Sequence, residues 1–244
     1  MLNAETKTKL KNKLYPTVDQ ITTGSVHRAL DQHLQPGIRV LDAGCGKGSG
    51  VLRKYRQRMG LLVGVDKIAP KEGYGRMDEF ILSELDDMPF PDATFDVVIC
   101  YEVIEHLRNP QKVFAEFRRI LIDGGVLIFK TPCAISPLFF FSRFSPFLWH
   151  QKIKKVLLGV QESHVFPTYY RCNTLRKMDH TLRAEGFQKE MLESIEETHC
   201  YLVFSKVAYC VGLLLSRLVQ VLRLAKPFRS QLIGVYRKLG NCVG

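Results

Sequence analysis

Short apolar runs alternate with stretches of helical spacing along the first 131 residues, and the alternation continues in part toward the other end of the chain. A helical N-terminal segment through Leu34 stops at Pro36-Gly37, which marks entry to a strand at Arg39–Ala43. A crossover helix is predicted over Ser49–Arg58, followed by strands at Leu61–Asp66, Phe80–Glu84 and Phe95–Tyr101. Pro110 opens a helix in which Val113, Phe114, Phe117, Ile120 and Leu121 recur at helical spacing. Gly124-Gly125 then reads as the turn before a strand at Val126–Lys130. Strand-helix alternation of this kind implies parallel strands joined by right-handed crossovers. Farther on, Thr174–Glu185 reads as a capped helix closing at Gly186, and Phe187–Ile195 and Ser230–Lys238 as two more strands. The expectation is a single α/β domain over 1–244, a doubly wound, mostly parallel sheet of seven strands.

Two segments break the pattern. Residues 132–172 are aromatic and basic, with Phe139-Phe140-Phe141, Phe144, Phe147, Trp149, His150 and Tyr169-Tyr170, and they are too long for an ordinary strand-to-helix loop. They read as an inserted cap, lining an acceptor pocket, packing as a satellite core, or both. Tyr201–Leu224, within an insertion over 200–228, holds an unbroken apolar run only at Val207–Leu215, with Lys206, Arg217 and Arg223 around it. A bilayer-spanning helix needs about twenty apolar residues, so an amphipathic helix is expected instead.

Charge sharpens the contrast between the two halves. The net charge is +11, and residues 143–244 hold 16 Lys and Arg against 7 Asp and Glu. The basic part suits an anionic membrane surface, a nucleic acid, an anionic substrate, or simply a solvated face. Seven scattered cysteines without a Cys-x-x-Cys pair look like reduced thiols, and the polar, lysine-rich start lacks a signal-peptide core. A cytoplasmic protein is expected, with peripheral contact at a membrane left open.

The chemistry concentrates at Val40–Gly50, VLDAGCGKGSG. Glycines after a strand let the backbone take positive φ and let a ligand approach the main chain without meeting a Cβ. A P-loop requires Gly-Lys-Ser/Thr, but Gly48 follows Lys47; a dinucleotide fingerprint requires a third glycine where Ser49 or Val51 stands. What remains is Asp-x-Gly-x-Gly-x-Gly from Asp42 to Gly48, with a carboxylate suited to a ligand end that is cationic or rich in donors.

This motif resembles that of the class I S-adenosylmethionine-dependent methyltransferases, of the type 11 and ubiquinone-pathway O-methyltransferase kind. The resemblance continues through Leu61–Asp66, Glu84–Val98 and Gly124–Lys130, and covers residues 36 to 131 most closely. It implies the Rossmann-like methyltransferase fold and S-adenosyl-L-methionine as cofactor. It further implies that Asp42, Gly44 and Gly46 cradle the methionine and ribose end, that Asp66 holds the ribose hydroxyls and that Glu84 with Leu85 contacts the adenine. Ala43, Cys45, Gly48, Lys67 and Tyr101 complete the expected cofactor-binding residues. Glu84-Leu85 stands where the family usually has Asp-Ala.

Glu102-Val103-Ile104-Glu105-His106 is similar to the acceptor-side stretch of the ubiquinone-pathway enzymes, which makes Glu102, Glu105 and His106 the candidate catalytic residues. An imidazole with a pKa near neutrality suits the removal of a hydroxyl proton. Alternatively the three could hold a divalent ion, or the glutamates could cap a helix start while His106 packs; no metal site is expected. Transfer to oxygen of a small-molecule or lipid-like acceptor follows as the expected activity. Two alternatives stay open, a nucleic-acid methyltransferase and a non-catalytic cofactor-binding scaffold. The first lacks an Asn/Asp-Pro-Pro-Tyr/Phe motif, Tyr101-Glu102-Val103-Ile104 standing there instead.

Overall fold

A computed structural model describes residues 3–14, 18–48, 50–70, 75, 77–137, 166–203 and 205–240. Most of the expected cap, residues 138–165, lies outside them. The chain divides into two compact units. One comprises Val26–Thr131, Thr168–Glu193 and Ile233–Gly244; the other comprises Met1–Ser25, Pro132–Pro167 and Ser194–Leu232.

The elements run α1 (Ala4–Leu14), α2 (Val18–His33), β1 (Ile38–Ala43), β2 (Met59–Asp66), β3 (Glu79–Leu82), β4 (Phe95–Tyr101) and α3 (Pro110–Ile120). They continue as β5 (Leu121–Pro132), α4 (Leu175–Ala184), β6 (Phe187–Ile195), α5 (Lys206–Val221) and β7 (Gln231–Lys238). The seven strands form one sheet in the order β3-β2-β1-β4-β5-β7-β6. Parallel pairing runs from β3 through β5. Cys133 N bonds Ser230 O at the start of β7, whereas Lys238 Nζ reaches Leu121 O at its end, so β7 runs opposite to β5.

Central position explains composition. Val40, Leu41 and Ala43 of β1 and Val98 and Cys100 of β4 are fully buried, as strands covered on both faces must be. Phe114, Phe117 and Ile120 of α3 and Met178 and Leu182 of α4 fill the core cluster with Phe129 and Tyr236. Asn109 caps α3 by accepting from Lys112 N, and Thr174 caps α4 by accepting from Lys177 N. Gly186, at φ +81°, closes α4 in the left-handed region.

Three expectations are corrected. The crossover over Ser49–Arg58 is not an α-helix; Gly50–Lys54 and Arg56–Arg58 form two 3-10 turns. Leu52 and Tyr55 are the inward anchors, three residues apart, and that spacing matches the 3-10 period. The strand expected at Val126–Lys130 begins at Leu121, and Gly124-Gly125 is a bulge in its pairing instead of a turn before it: Phe95 faces Leu121 while Val97 faces Val126. The strand expected at Phe80–Glu84 ends at Leu82, which leaves Glu84 beyond it.

In the second unit α5 packs with a 3-10 turn at Thr198–Tyr201, a 3-10 segment at Arg223–Phe228, and α1. No described helix is long and apolar enough to cross a membrane.

Candidate functional site

β1 and β2 end side by side, Asp42 beside Gly64 and Ala43 beside Val65, and the glycine turn begins there. Gly44, Gly46 and Gly48 all take positive φ, +75°, +52° and +92°. The amides of Gly44 and Cys45 both donate to Val65 O, at 2.8 and 3.1 Å, which ties the turn to β2. A Cβ on Gly44 would stand 2.3 Å from Cγ2 of Val103, so this position needs glycine for space as well as for φ.

The two expected carboxylates serve the turn differently. Asp66 accepts from Gly46 N through Oδ2 at 2.9 Å and from Ile68 N through Oδ1 at 3.0 Å. Each carboxylate oxygen has a second lone-pair direction, so Asp66 holds the loop and keeps capacity for vicinal hydroxyls. Asp42 is buried at the end of β1 and lines a cavity of roughly 340 Å³ whose other walls include Lys47, Gly48, Arg53, Arg56 and Met77. That volume falls within the usual span of ligand pockets, about 300–1,000 Å³. Ala43 and Cys45 are buried, and burial together with Asp42 and Asp66 pushes the Cys45 thiol far up, which keeps it neutral. Lys67 and Glu84 are exposed and Leu85 is buried.

A second cluster follows β4. Tyr101 receives a hydrogen bond from Lys130 Nζ at 3.2 Å, and the same ammonium lies 3.7 Å from Glu102 Oε1. Glu102 adopts φ +57°, a strained region for a non-glycine residue, while its amide donates to Lys130 O. Ile104–His106 forms a 3-10 turn that turns Glu105 inward and leaves His106 partly exposed. Glu105 Oε2 accepts from Thr131 Oγ1 at 2.9 Å, and Thr131 Oγ1 accepts from Asn173 Nδ2 at 2.7 Å. The backbone carbonyl of Glu105 accepts from the amides of Tyr169 and Tyr170. Its Oε1 lies 3.7 Å from His106 Nε2. Burial pushes the Glu105 carboxyl upward, opposed by His106, a backbone amide and Thr131.

The structure thus brings Asp42, Gly44, Gly46, Gly48 and Asp66 together at one turn, and Glu105 with His106 at another. Thr131 and Asn173 were not singled out from sequence; Thr131 announces itself only as the polar residue ending an apolar strand. Among the described residues no group of three or more His, Cys, Asp and Glu stands where it could hold a metal ion.

Residues 41–129 match the family model of the methyltransferase domain. A Mycobacterium tuberculosis protein named "Probable S-adenosylmethionine-dependent methyltransferase" is 35% identical over 117 residues, 45% of this chain and 42% of the relative. A sterol 24-C-methyltransferase of Gibberella zeae is 35% identical over 104 residues, 38% of this chain and 27% of that protein. The chain therefore matches less than half the length of these relatives. Among solved structures, the complex of the Haloferax volcanii Trm112 methyltransferase activator with a methyltransferase contains a similar fold. Its TM-score is 0.62 at 17% identity, covering 98% of this chain and 99% of that one.

Fold, glycine motif and family model point the same way: residues 41–129 are similar to a methyltransferase domain, within a fold that the similar solved structure shares. The cofactor of such a domain is S-adenosyl-L-methionine. The residues present fit it: a glycine turn with open space at Gly46, a carboxylate at Asp66 with spare acceptor capacity, and a cavity with both a buried acid, Asp42, and basic groups.

Proposed function

We propose that the protein methylates a small-molecule or lipid-like acceptor, at oxygen, using S-adenosyl-L-methionine. The observation that carries this reading is the glycine turn at the joint end of β1 and β2, fixed by Val65 O and Asp66 and closed to side chains at Gly44. In this reading the turn amides, Asp42 and Asp66 hold the cofactor, with Asp66 at the ribose hydroxyls. The cofactor supplies a methyl group already activated on a sulfonium, so the protein's task is alignment and exclusion of water.

His106 takes the proton of the acceptor hydroxyl as the new O–C bond forms. Its imidazolium is then stabilised by Glu105, held in place from within by Thr131 and Asn173. Glu105 is a positioning residue in this scheme, since its carboxylate is buried against Thr131. Glu102, beside Lys130, lies at the same turn and contributes charge.

The name of the sterol relative supports a lipid-like acceptor and also a second reading, transfer to carbon. Incubating lipid and aqueous extracts with the protein and methyl-labelled S-adenosylmethionine, followed by mass spectrometry, tests both. A labelled methyl ether or ester supports oxygen, a labelled C-methyl group supports carbon, and no labelled product from folded, cofactor-binding protein contradicts catalysis.

A further inference from the structure

Among the described residues, helix α5 is anchored along one edge. Tyr209, Gly212, Leu213 and Ser216 are buried on that edge. Gly212 lies so near the Thr198–Tyr201 turn that an added Cβ would be 3.0 Å from Cα of His199. Ser216 Oγ accepts from His199 N at 3.3 Å, and Leu10 and Leu14 of α1 pack on Tyr209 and Leu213. Arg217 Nη1 donates to Leu14 O at 3.3 Å.

With that edge fixed, the opposite one faces outward, and it is entirely aliphatic. Val207 is 75% exposed, Val211 47%, Leu214 52%, Leu215 47%, Leu218 56% and Val221 73%. At about 100° per residue these six span an arc of roughly 120°. Beyond the helix, Leu224 at 93% and Phe228 at 49% extend the surface. The polarity is inverted relative to an ordinary surface helix, whose small and polar groups face water. Six aliphatic side chains exposed along one stripe form an apolar patch of the kind that marks an interaction surface.

Charge selects the occupant. Lys206 and Arg217 border the stripe, Lys226 follows it, and from Lys206 to Arg229 there is no Asp or Glu. The docked α1 adds Lys7, Lys9, Lys11 and Lys13. Among the described side chains of this unit the acids are Glu5, which pairs with Lys9 at 2.8 Å, and the buried Glu196 and Glu197. A second copy would set two basic rims against each other. An anionic bilayer offers an apolar boundary beneath a negative surface, which is what a basic-rimmed apolar helix requires. We infer that α5 is the surface by which this protein lies on an anionic lipid membrane, with the aliphatic stripe at the acyl boundary and Lys206 and Arg217 among the headgroups. The inference is independent of methyl transfer.

Cosedimentation of the full chain with phosphatidylcholine vesicles, with and without phosphatidylserine, tests it. Binding is expected with phosphatidylserine, weaker without it, and falling as salt rises. The Leu214→Asp/Leu218→Asp variant should lose at least about tenfold in vesicle affinity, and Lys206→Glu and Arg217→Glu about fivefold each with phosphatidylserine. Circular dichroism checks the fold, and Val207→Ser/Val221→Ser, at the two most exposed positions of the stripe, reads the same effect if the aspartates prevent folding. Folded protein that ignores phosphatidylserine vesicles, or binding that these variants leave unchanged, overturns the inference. So does a dimer in light scattering that the aspartates dissociate while no vesicle binding occurs, which would assign the stripe to a second copy.

Discussion

Thr131, the last polar residue of β5 before Pro132, donates its hydroxyl to the buried carboxylate of Glu105 across 2.9 Å, 26 residues away in the chain. Burial, which this bond opposes, decides how the carboxylate responds to pH. Burial raises the folded-state pKa of Glu105, so ionising it inside the protein works against folding, and stability is lost as pH rises from the ordinary carboxylate value through the raised one. Glu105→Gln keeps an acceptor for Thr131 without the charge. Its Tm relative to the parent should therefore increase from pH 5 to pH 8, measured by thermal unfolding; a pH-independent difference would contradict the assignment.

The same chain of groups sets the behaviour of His106. His106→Ala should lower kcat on an oxygen acceptor by about 100-fold or more while leaving cofactor affinity within about twofold. Thr131→Val should shift the pH profile of kcat/KM, because the carboxylate facing the imidazole loses a donor, with a smaller loss in rate. Unchanged turnover in His106→Ala would remove it from the mechanism.

Gly44 and Val103 touch with no room between them for a side chain. Gly44→Ala both meets Val103 and forces alanine to φ +75°, so cofactor affinity should fall by more than about tenfold, with a loss of about 1–2 kcal/mol in stability. Adding Val103→Ala removes the clash but not the φ strain. The double variant should recover part of the stability, by denaturant unfolding, and a double variant no more stable than Gly44→Ala would contradict a steric origin.

Far from the site, Asp179 Oδ1 accepts from the Tyr236 hydroxyl at 2.8 Å. Burial raises the Asp179 pKa, but Tyr236, Arg183 and Lys189 outweigh it and the net direction is downward. A depressed carboxylate stabilises the fold above its unfolded pKa and loses that contribution as pH falls through the folded value. Tyr236→Phe should then cost about 1.5–3 kcal/mol at neutral pH and move the acid unfolding midpoint to higher pH. An unmoved acid midpoint would show that the hydrogen bond does not hold the charge.

β4 at Phe95–Tyr101, a dense apolar run, and β6 at Phe187–Ile195, a more polar one, both have the expected bounds, and Thr174 caps α4 as its hydroxyl suggests. The Asp42–Gly48 turn was legible because positive φ and close approach leave a mark in composition. The Asn173–Thr131 bond was not, since its partners lie 42 residues apart and neither belongs to a motif. The helix expected over Ser49–Arg58 followed from the strand-helix order alone, and among its described residues Leu52 and Tyr55 are the ones that reach the core. For α5 the amphipathic character was visible, but which edge is anchored depends on Gly212 meeting His199 and Ser216 bonding its amide.

Calorimetric titration of the folded chain with S-adenosylmethionine and with its demethylated product reaches the central claim most directly. Saturable binding of both near one equivalent is expected, weakened by Gly44→Ala and by Asp66→Ala. Absence of heat from either compound, with protein of intact fold, would contradict the assignment of the glycine turn and everything built on it.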